Sequence, residues 1–106
     1  MPAIHETFLD THRTLAIAAS KAATSYLAAL GVRAVVTGSL ARGAFSAHSD
    51  IDLLVIECPT RLKYAIEGIV EDALDGRPFD VIYLDELPPW KARRFMEDAI
   101  DASELR

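Results

Sequence analysis

Apolar residues recur along the first third of the chain at the spacing of an α-helix. Between residues 4 and 30 they return at intervals of three and four. The stripe that this spacing predicts is formed by Leu15, Ala19, Ala22, Tyr26 and Leu30. The segment "DTHRT" is a weak helix interior, so we expect the helix to break near Thr11, with Asp10 or Thr11 as the cap of a second helix. Gly31 is placed to cap its C-terminus.

Three shorter apolar runs are typical of β-strands. They are "VRAVVTG" at 32–38, "DIDLLVIE" at 50–57 and "FDVIYLD" at 79–85. In the second run both faces become apolar after Asp52, which indicates a central strand covered on both sides.

Helical segments separate and follow these strands. We predict them at 39–45, at 59–74 opened by Pro59, and at 88–100, and we expect residues 101–106 to fray. The alternation of helices and strands predicts an α/β domain with at least three strands. The length of 106 residues fits a single domain over residues 1–106.

Composition and charge narrow the function classes. The net charge is −5 and no basic run occurs, so we expect no direct binding to nucleic acid. The apolar runs are far shorter than the roughly 20 residues of a membrane span, so we expect no membrane association. The one cysteine, Cys58, cannot form an intrachain disulfide, which favours a cytoplasmic location.

The most informative stretch is "GSLARGAFSAHSDIDLLV", residues 38–55. Because side chains alternate along a strand, Asp50 and Asp52 point to the same face, with Cα atoms about 6.5–7 Å apart. Two carboxylates beside an apolar core need compensation, either from solvent or from a divalent cation such as Mg²⁺. Asp80 also begins an apolar strand. If the two strands are neighbours, three carboxylates meet there, enough for two metal ions.

The Gly38-Ser39 turn lies between a strand and a helix. Glycine permits a close approach of a ligand to the backbone, and a following helix directs free N–H groups at an anion. A plain turn with an N-cap is the alternative for this dipeptide taken alone. Arg42 either reaches toward a phosphate or pairs with a nearby acidic side chain.

Taken together, these residues carry a family resemblance. Gly-Ser, ten intervening residues and Asp-x-Asp resemble the DNA polymerase β-like nucleotidyltransferase superfamily, and "GSLARG…SDIDLLV" resembles its minimal nucleotidyltransferases over about residues 33–85. The resemblance implies a small mixed sheet of three or four strands flanked by helices. It implies that Gly38 and Ser39 hold the nucleoside triphosphate. It also implies that Asp50 and Asp52 bind metal and that Asp80 activates the attacking hydroxyl and binds the catalytic metal.

The same resemblance implies a reaction and a partner. A hydroxyl would attack the α-phosphorus of ATP with two Mg²⁺ ions present and expel pyrophosphate. The acceptor would be a HEPN-domain RNase toxin, neutralised by transfer of AMP, in a hetero-oligomer with this chain as antitoxin. So short a chain leaves little room for a small-acceptor pocket, which favours a protein acceptor. The alternatives are a small-molecule (aminoglycoside-like) nucleotidyltransferase and a non-catalytic nucleotide-binding antitoxin.

The remaining polar and aromatic residues have ordinary interpretations. Trp90 and Phe95 are expected to be packing residues, although an exposed aromatic beside Arg93 and Arg94 would suit a partner interface. Tyr64 and Tyr83 are expected at the core or its edge. His48 is expected at the surface, and Asp85 and Glu86 are expected either at the surface or as caps for the last helix.

Overall fold

The computed structural model describes the chain from residue 4 to residue 106, and its side chains from residue 10 onward. The elements are α1 (Ile4–Ala29), β1 (Arg33–Thr37), α2 (Gly38–Arg42), β2 (Ile51–Glu57), α3 (Ile66–Leu74), β3 (Phe79–Tyr83) and α4 (Pro89–Asp98). Short 3-10 turns span Thr60–Leu62, Leu84–Glu86 and Ala102–Glu104. The predicted order of helices and strands is confirmed.

The three strands form one mixed sheet in the order β1-β2-β3. β1 and β2 are antiparallel, whereas β2 and β3 are parallel and joined by a crossover through α3. β2 is therefore the central strand, as its apolar run indicates. Since parallel neighbours begin at the same edge of a sheet, β2 and β3 start side by side.

The main core lies between the sheet and the pair α1 and α3. Alternate strand residues such as Val36, Leu53 and Tyr83 face this layer, where they are buried. On the opposite face α4 packs against β1, and the Thr37 hydroxyl donates a hydrogen bond to the Phe95 carbonyl at 3.1 Å. Asp52 and Asp80 lie on this second face, because their strand neighbours point into the core.

The buried face of α1 is shifted by one position along the chain from the predicted stripe. Its buried positions among the described side chains are Ala16, Ile17, Ser20, Ala23 and Leu27. Leu15 is 48% exposed and Tyr26 60% exposed, so the stripe predicted through them is wrong. In an alanine-rich helix both faces are apolar, and periodicity alone cannot choose between them. The Ser20 hydroxyl is accommodated because it donates to the Ala16 carbonyl at 2.8 Å. The helix is also continuous through Thr11.

The helix predicted at 59–74 is shorter in the structure, where α3 spans Ile66–Leu74. A 3-10 turn is followed by Tyr64 at φ +69°, and α3 begins only at Ile66. The Tyr64 N–H donates to the Tyr83 hydroxyl at 3.2 Å, which anchors this left-handed residue. Tyr83 is buried as predicted, but Tyr64 is 67% exposed, so its predicted core position is wrong.

The C-terminal residues do not fray. Ile100 and Val36 exchange two backbone hydrogen bonds, of 2.8 and 2.9 Å, at the outer edge of β1. Ala102 and Leu105 are buried in the core. The tail is ordered because it covers a sheet edge, a gain that cannot be read from the local sequence. Across residues 4–106, none of the helices combines the length and the apolar character that a membrane span requires.

Candidate active site

Three residues form a row across the sheet at the edge where β2 and β3 begin. Thr37 of β1 is paired with Asp52 of β2, and Asp52 is paired with Asp80 of β3. Neighbouring strands lie about 4.8 Å apart, so the two carboxylates are direct neighbours on one face. The adjacency of Asp80 and Asp52, which the sequence left conditional on strand order, follows from this pairing.

Gly38 is in contact with Asp52. Its φ is +72°, a left-handed conformation that favours glycine, and a Cβ placed there would overlap Asp52 Oδ2 and lie 3.1 Å from Cγ. The glycine is thus required twice, by its backbone and by the carboxylate against it. The Gly38 turn and the candidate metal ligand Asp52 are therefore in direct contact.

The electrostatic environment of Asp52 is unfavourable to its charge. Burial, then the Asp80 carboxylate and then that of Asp50, raises the pKa of Asp52 to about 6, opposed by the Arg42 guanidinium. Excess negative charge therefore accumulates at this point of the sheet. A cation bound between the carboxylates would remove the repulsion that raises this pKa.

Asp50 lies just before β2 and is exposed, but close enough to contribute to the shift at Asp52. No three acidic, histidine or cysteine side chains within the described residues converge into a group that could hold a metal ion. The predicted three-carboxylate set is thus not assembled as a cluster, and its metal role stays a prediction. Carboxylate oxygens with uncompensated charge are nevertheless the donors that suit a hard divalent cation.

Ser39 and Arg42 border the same turn. Ser39 is half-buried at the start of α2, which has only five residues and is too short to build a substantial helix dipole. Arg42 Nη1 lies 3.3 Å from Asp98 Oδ2, with both side chains about half exposed. Of the two interpretations of Arg42, the acid pair is the one observed. So exposed a pair contributes little stability and can open to a ligand.

A cavity of about 340 Å³ lies beside the Gly38 turn, between α4 and the end of β1. The sequence did not predict it. Thr37, Gly38 and Arg42 line one side, and Trp90, Lys91 and Arg94 of α4 line another. Trp90 is 64% exposed, so its predicted packing role is wrong, whereas Phe95 is half-buried. The sequence signal that could have indicated this cavity is the spacing of Trp90 and Arg94, which lie one helical turn apart on α4.

Two paired carboxylates beside a glycine turn, on a mixed three-stranded sheet covered by helices, define a DNA polymerase β-like nucleotidyltransferase fold. A solved structure described as a "putative minimal nucleotidyltransferase" is 33% identical to this chain, with a TM-score of 0.65. The match covers 78% of this chain and 88% of the other. The nucleotidyltransferase domain model matches residues 20–102, and the chain belongs to this family. No curated protein matches the sequence.

The comparisons and the geometry agree on the class of chemistry. The matched region contains the Gly38 turn and all three aspartates. The chain is accordingly assigned to the nucleotidyl-transferring enzymes.

Proposed function

We propose that this protein transfers AMP from ATP to a hydroxyl of a protein partner in a Mg²⁺-dependent reaction. The partner we propose is a HEPN-type RNase toxin, which the transfer neutralises. One observation carries the enzymatic part of the proposal: Asp52 and Asp80 are paired across parallel strands, with the Gly38 turn in contact with Asp52.

The site residues have distinct roles in this reaction. Gly38 leaves room for a phosphate to approach the backbone, and Ser39 is placed to donate its hydroxyl to the triphosphate. The Asp80 carboxylate, exposed at the strand edge, accepts the proton of the acceptor hydroxyl. The hydroxyl oxygen forms a bond to the α-phosphorus, the bond from that phosphorus to the α,β-bridging oxygen breaks, and pyrophosphate leaves.

Asp50, Asp52 and Asp80 are the residues that would hold magnesium. When bound there, the metal supplies neutralisation of triphosphate charge and a lowered pKa of the attacking hydroxyl. The uncompensated charge at Asp52 is the property of this chain that fits such an ion. The chain's own contribution is to hold its carboxylates beside the glycine turn, so that substrate groups are positioned before reaction.

A macromolecular acceptor fits the open side of the site. Asp80 is exposed on the edge strand β3, and its neighbour on the same face, Ile82, is only half-buried. Among the described residues, none of the main cavities of the fold is lined by Asp80, so the carboxylate lies on an open surface. A protein acceptor brings its own surface and needs no such cavity.

The direct test is transfer of a labelled nucleotide to a co-purified HEPN-type toxin. Wild-type protein with α-labelled ATP and magnesium should label the toxin and release pyrophosphate. Asp52→Asn and Asp80→Asn should each abolish labelling, whereas Asp72→Asn, an exposed α3 change, should not. Absence of labelling with all four nucleoside triphosphates would contradict the proposal.

The same experiment separates the two alternatives. Labelling of an aminoglycoside without any protein partner would indicate a small-molecule transferase. Neutralisation of the toxin by a triple variant lacking Asp50, Asp52 and Asp80 would indicate an antitoxin that acts by binding alone.

A further inference from the structure

The cavity between α4 and the end of β1 is adjacent to the reaction centre but plays no part in the chemistry described above. Its volume of about 340 Å³ falls in the lower range of small-ligand sites. Gly38 belongs both to this cavity and to the contact with Asp52. A molecule lying in the cavity would therefore extend directly to the carboxylates.

We propose that this cavity binds the nucleoside part of the triphosphate, with the base stacked on Trp90 and the phosphates passing Arg94 toward Gly38. The proposal rests on the proposed function and names residues that bind its nucleotide substrate.

Trp90 is suited to a base by its exposure. Trp90 is 64% exposed and lines the cavity, an unfavourable arrangement for the largest aromatic residue unless something covers it. Stacking of a base on an exposed aromatic ring is tolerant of base identity and is a recurring mode of nucleotide binding. The buried Thr37 hydroxyl of this cavity already donates its proton to the Phe95 carbonyl, so that proton is not offered to a base edge.

The charge along α4 is suited to phosphates. Arg94 lies one helical turn after Trp90, about 6 Å along the axis and toward the position where Phe95 accepts the Thr37 hydroxyl. Lys91 lines the same cavity, as do Arg42 and Asp98, which form the exposed ion pair. Within the described part of the chain, neither Lys91 nor Arg94 forms an ion pair. Three cations against one carboxylate give the cavity a positive balance, although the whole chain is acidic.

The chain offers a direct probe of this arrangement, because Trp90 is its only tryptophan. We would titrate the full-length protein with Mg²⁺-ATP and, separately, with Mg²⁺-tripolyphosphate, following tryptophan fluorescence and binding heat. ATP should quench Trp90 saturably. Tripolyphosphate should bind with little quenching, because it carries no base.

Variants separate the base from the phosphates. Trp90→Ala should weaken ATP binding about tenfold, equivalent to about 1.4 kcal/mol, with tripolyphosphate binding unchanged. Trp90→Phe should recover most of that loss. Arg94→Gln should weaken both ligands, whereas the matched neighbour Arg93→Gln, which lies outside the cavity lining, should weaken neither. Circular dichroism of each variant verifies folding.

The outcomes are distinguishable. ATP binding by calorimetry with unchanged Trp90 fluorescence and a normal Trp90→Ala affinity would overturn the cavity assignment and leave the proposed function intact. Equal losses for ATP and tripolyphosphate in Trp90→Ala would also overturn it, because the ring would then act on structure and not on the base. Failure of the wild-type protein to bind any nucleoside triphosphate would overturn both proposals.

Discussion

Asp52 imposes a cost on the fold that an isosteric substitution should remove. Burial and the neighbouring Asp80 and Asp50 carboxylates raise its pKa from 3.8 to about 6. A shift of that size corresponds to at most about 3 kcal/mol against the charged form. Because the side chain is only partly buried, solvent screening lowers this, and we expect Asp52→Asn to stabilise the metal-free protein by about 1 kcal/mol at neutral pH.

The pH dependence of this gain has a defined direction. The native state holds the Asp52 proton more tightly than the unfolded chain, whose pKa is near 3.8. The wild-type carboxyl therefore costs nothing below that pH, and its cost grows to the full value as the pH rises past about 6. The variant should exceed the wild type by about 4 °C in Tm at neutral pH, and the two should converge near pH 4.

The assay is thermal or urea unfolding followed by circular dichroism, in chelator, over a pH series. Asp72→Asn on the exposed face of α3 serves as the control and should stay within about 0.5 kcal/mol of the wild type. With Mg²⁺-ATP added, the order should reverse, since only the wild type gains from the bound ion. A variant that is no more stable than the wild type at neutral pH, with a neutral control, would refute the proposed charge repulsion.

Further substitutions test individual parts of the structure. Gly38→Ala forces a side chain into a left-handed position against Asp52 and should lower stability by about 1–2 kcal/mol in urea unfolding, with transfer falling about 100-fold; normal transfer would contradict the contact. Leu27→Ala should cost about 3 kcal/mol and Tyr26→Ala less than about 0.5 kcal/mol in the same assay, and the reverse order would contradict the observed face of α1. Leu105→Ala should lower Tm through a loss of about 2 kcal/mol, whereas a frayed tail predicts no change.

Much of the fold followed from local pattern. The apolar runs placed all three strands within a few residues of their observed bounds, because a covered central strand such as β2 must be apolar on both faces. The 27 residues between Asp52 and Asp80 left room for a crossover helix and a return strand, but the sequence left open whether the two strands are neighbours. The alternation of side chains along one strand placed Asp50 and Asp52 on the same face, whereas the pairing of Asp52 with Asp80 came from the structure.

Other features depended on partners distant in sequence. The orientation of α1 was set by which of two apolar faces met the sheet, and Ala16 and Leu27 prevailed over Leu15 and Tyr26. The tail was ordered by an exchange of hydrogen bonds between Ile100 and β1, more than 60 residues earlier in the chain. Alternative arrangements of this kind are decided by the total apolar surface that each one buries, and a short stretch of sequence does not contain that information.

The division between what the sequence determined and what the tertiary structure decided is clearest at the candidate active site. The sequence by itself determined the chemistry, because Gly-Ser and the aspartates are chemical groups at fixed spacing. Only the tertiary structure decided that Gly38 presses on Asp52 and that Trp90 stands uncovered beside them. Contact between a turn, a strand and the last helix is a property of packed surfaces, and those surfaces exist only once the sheet has formed.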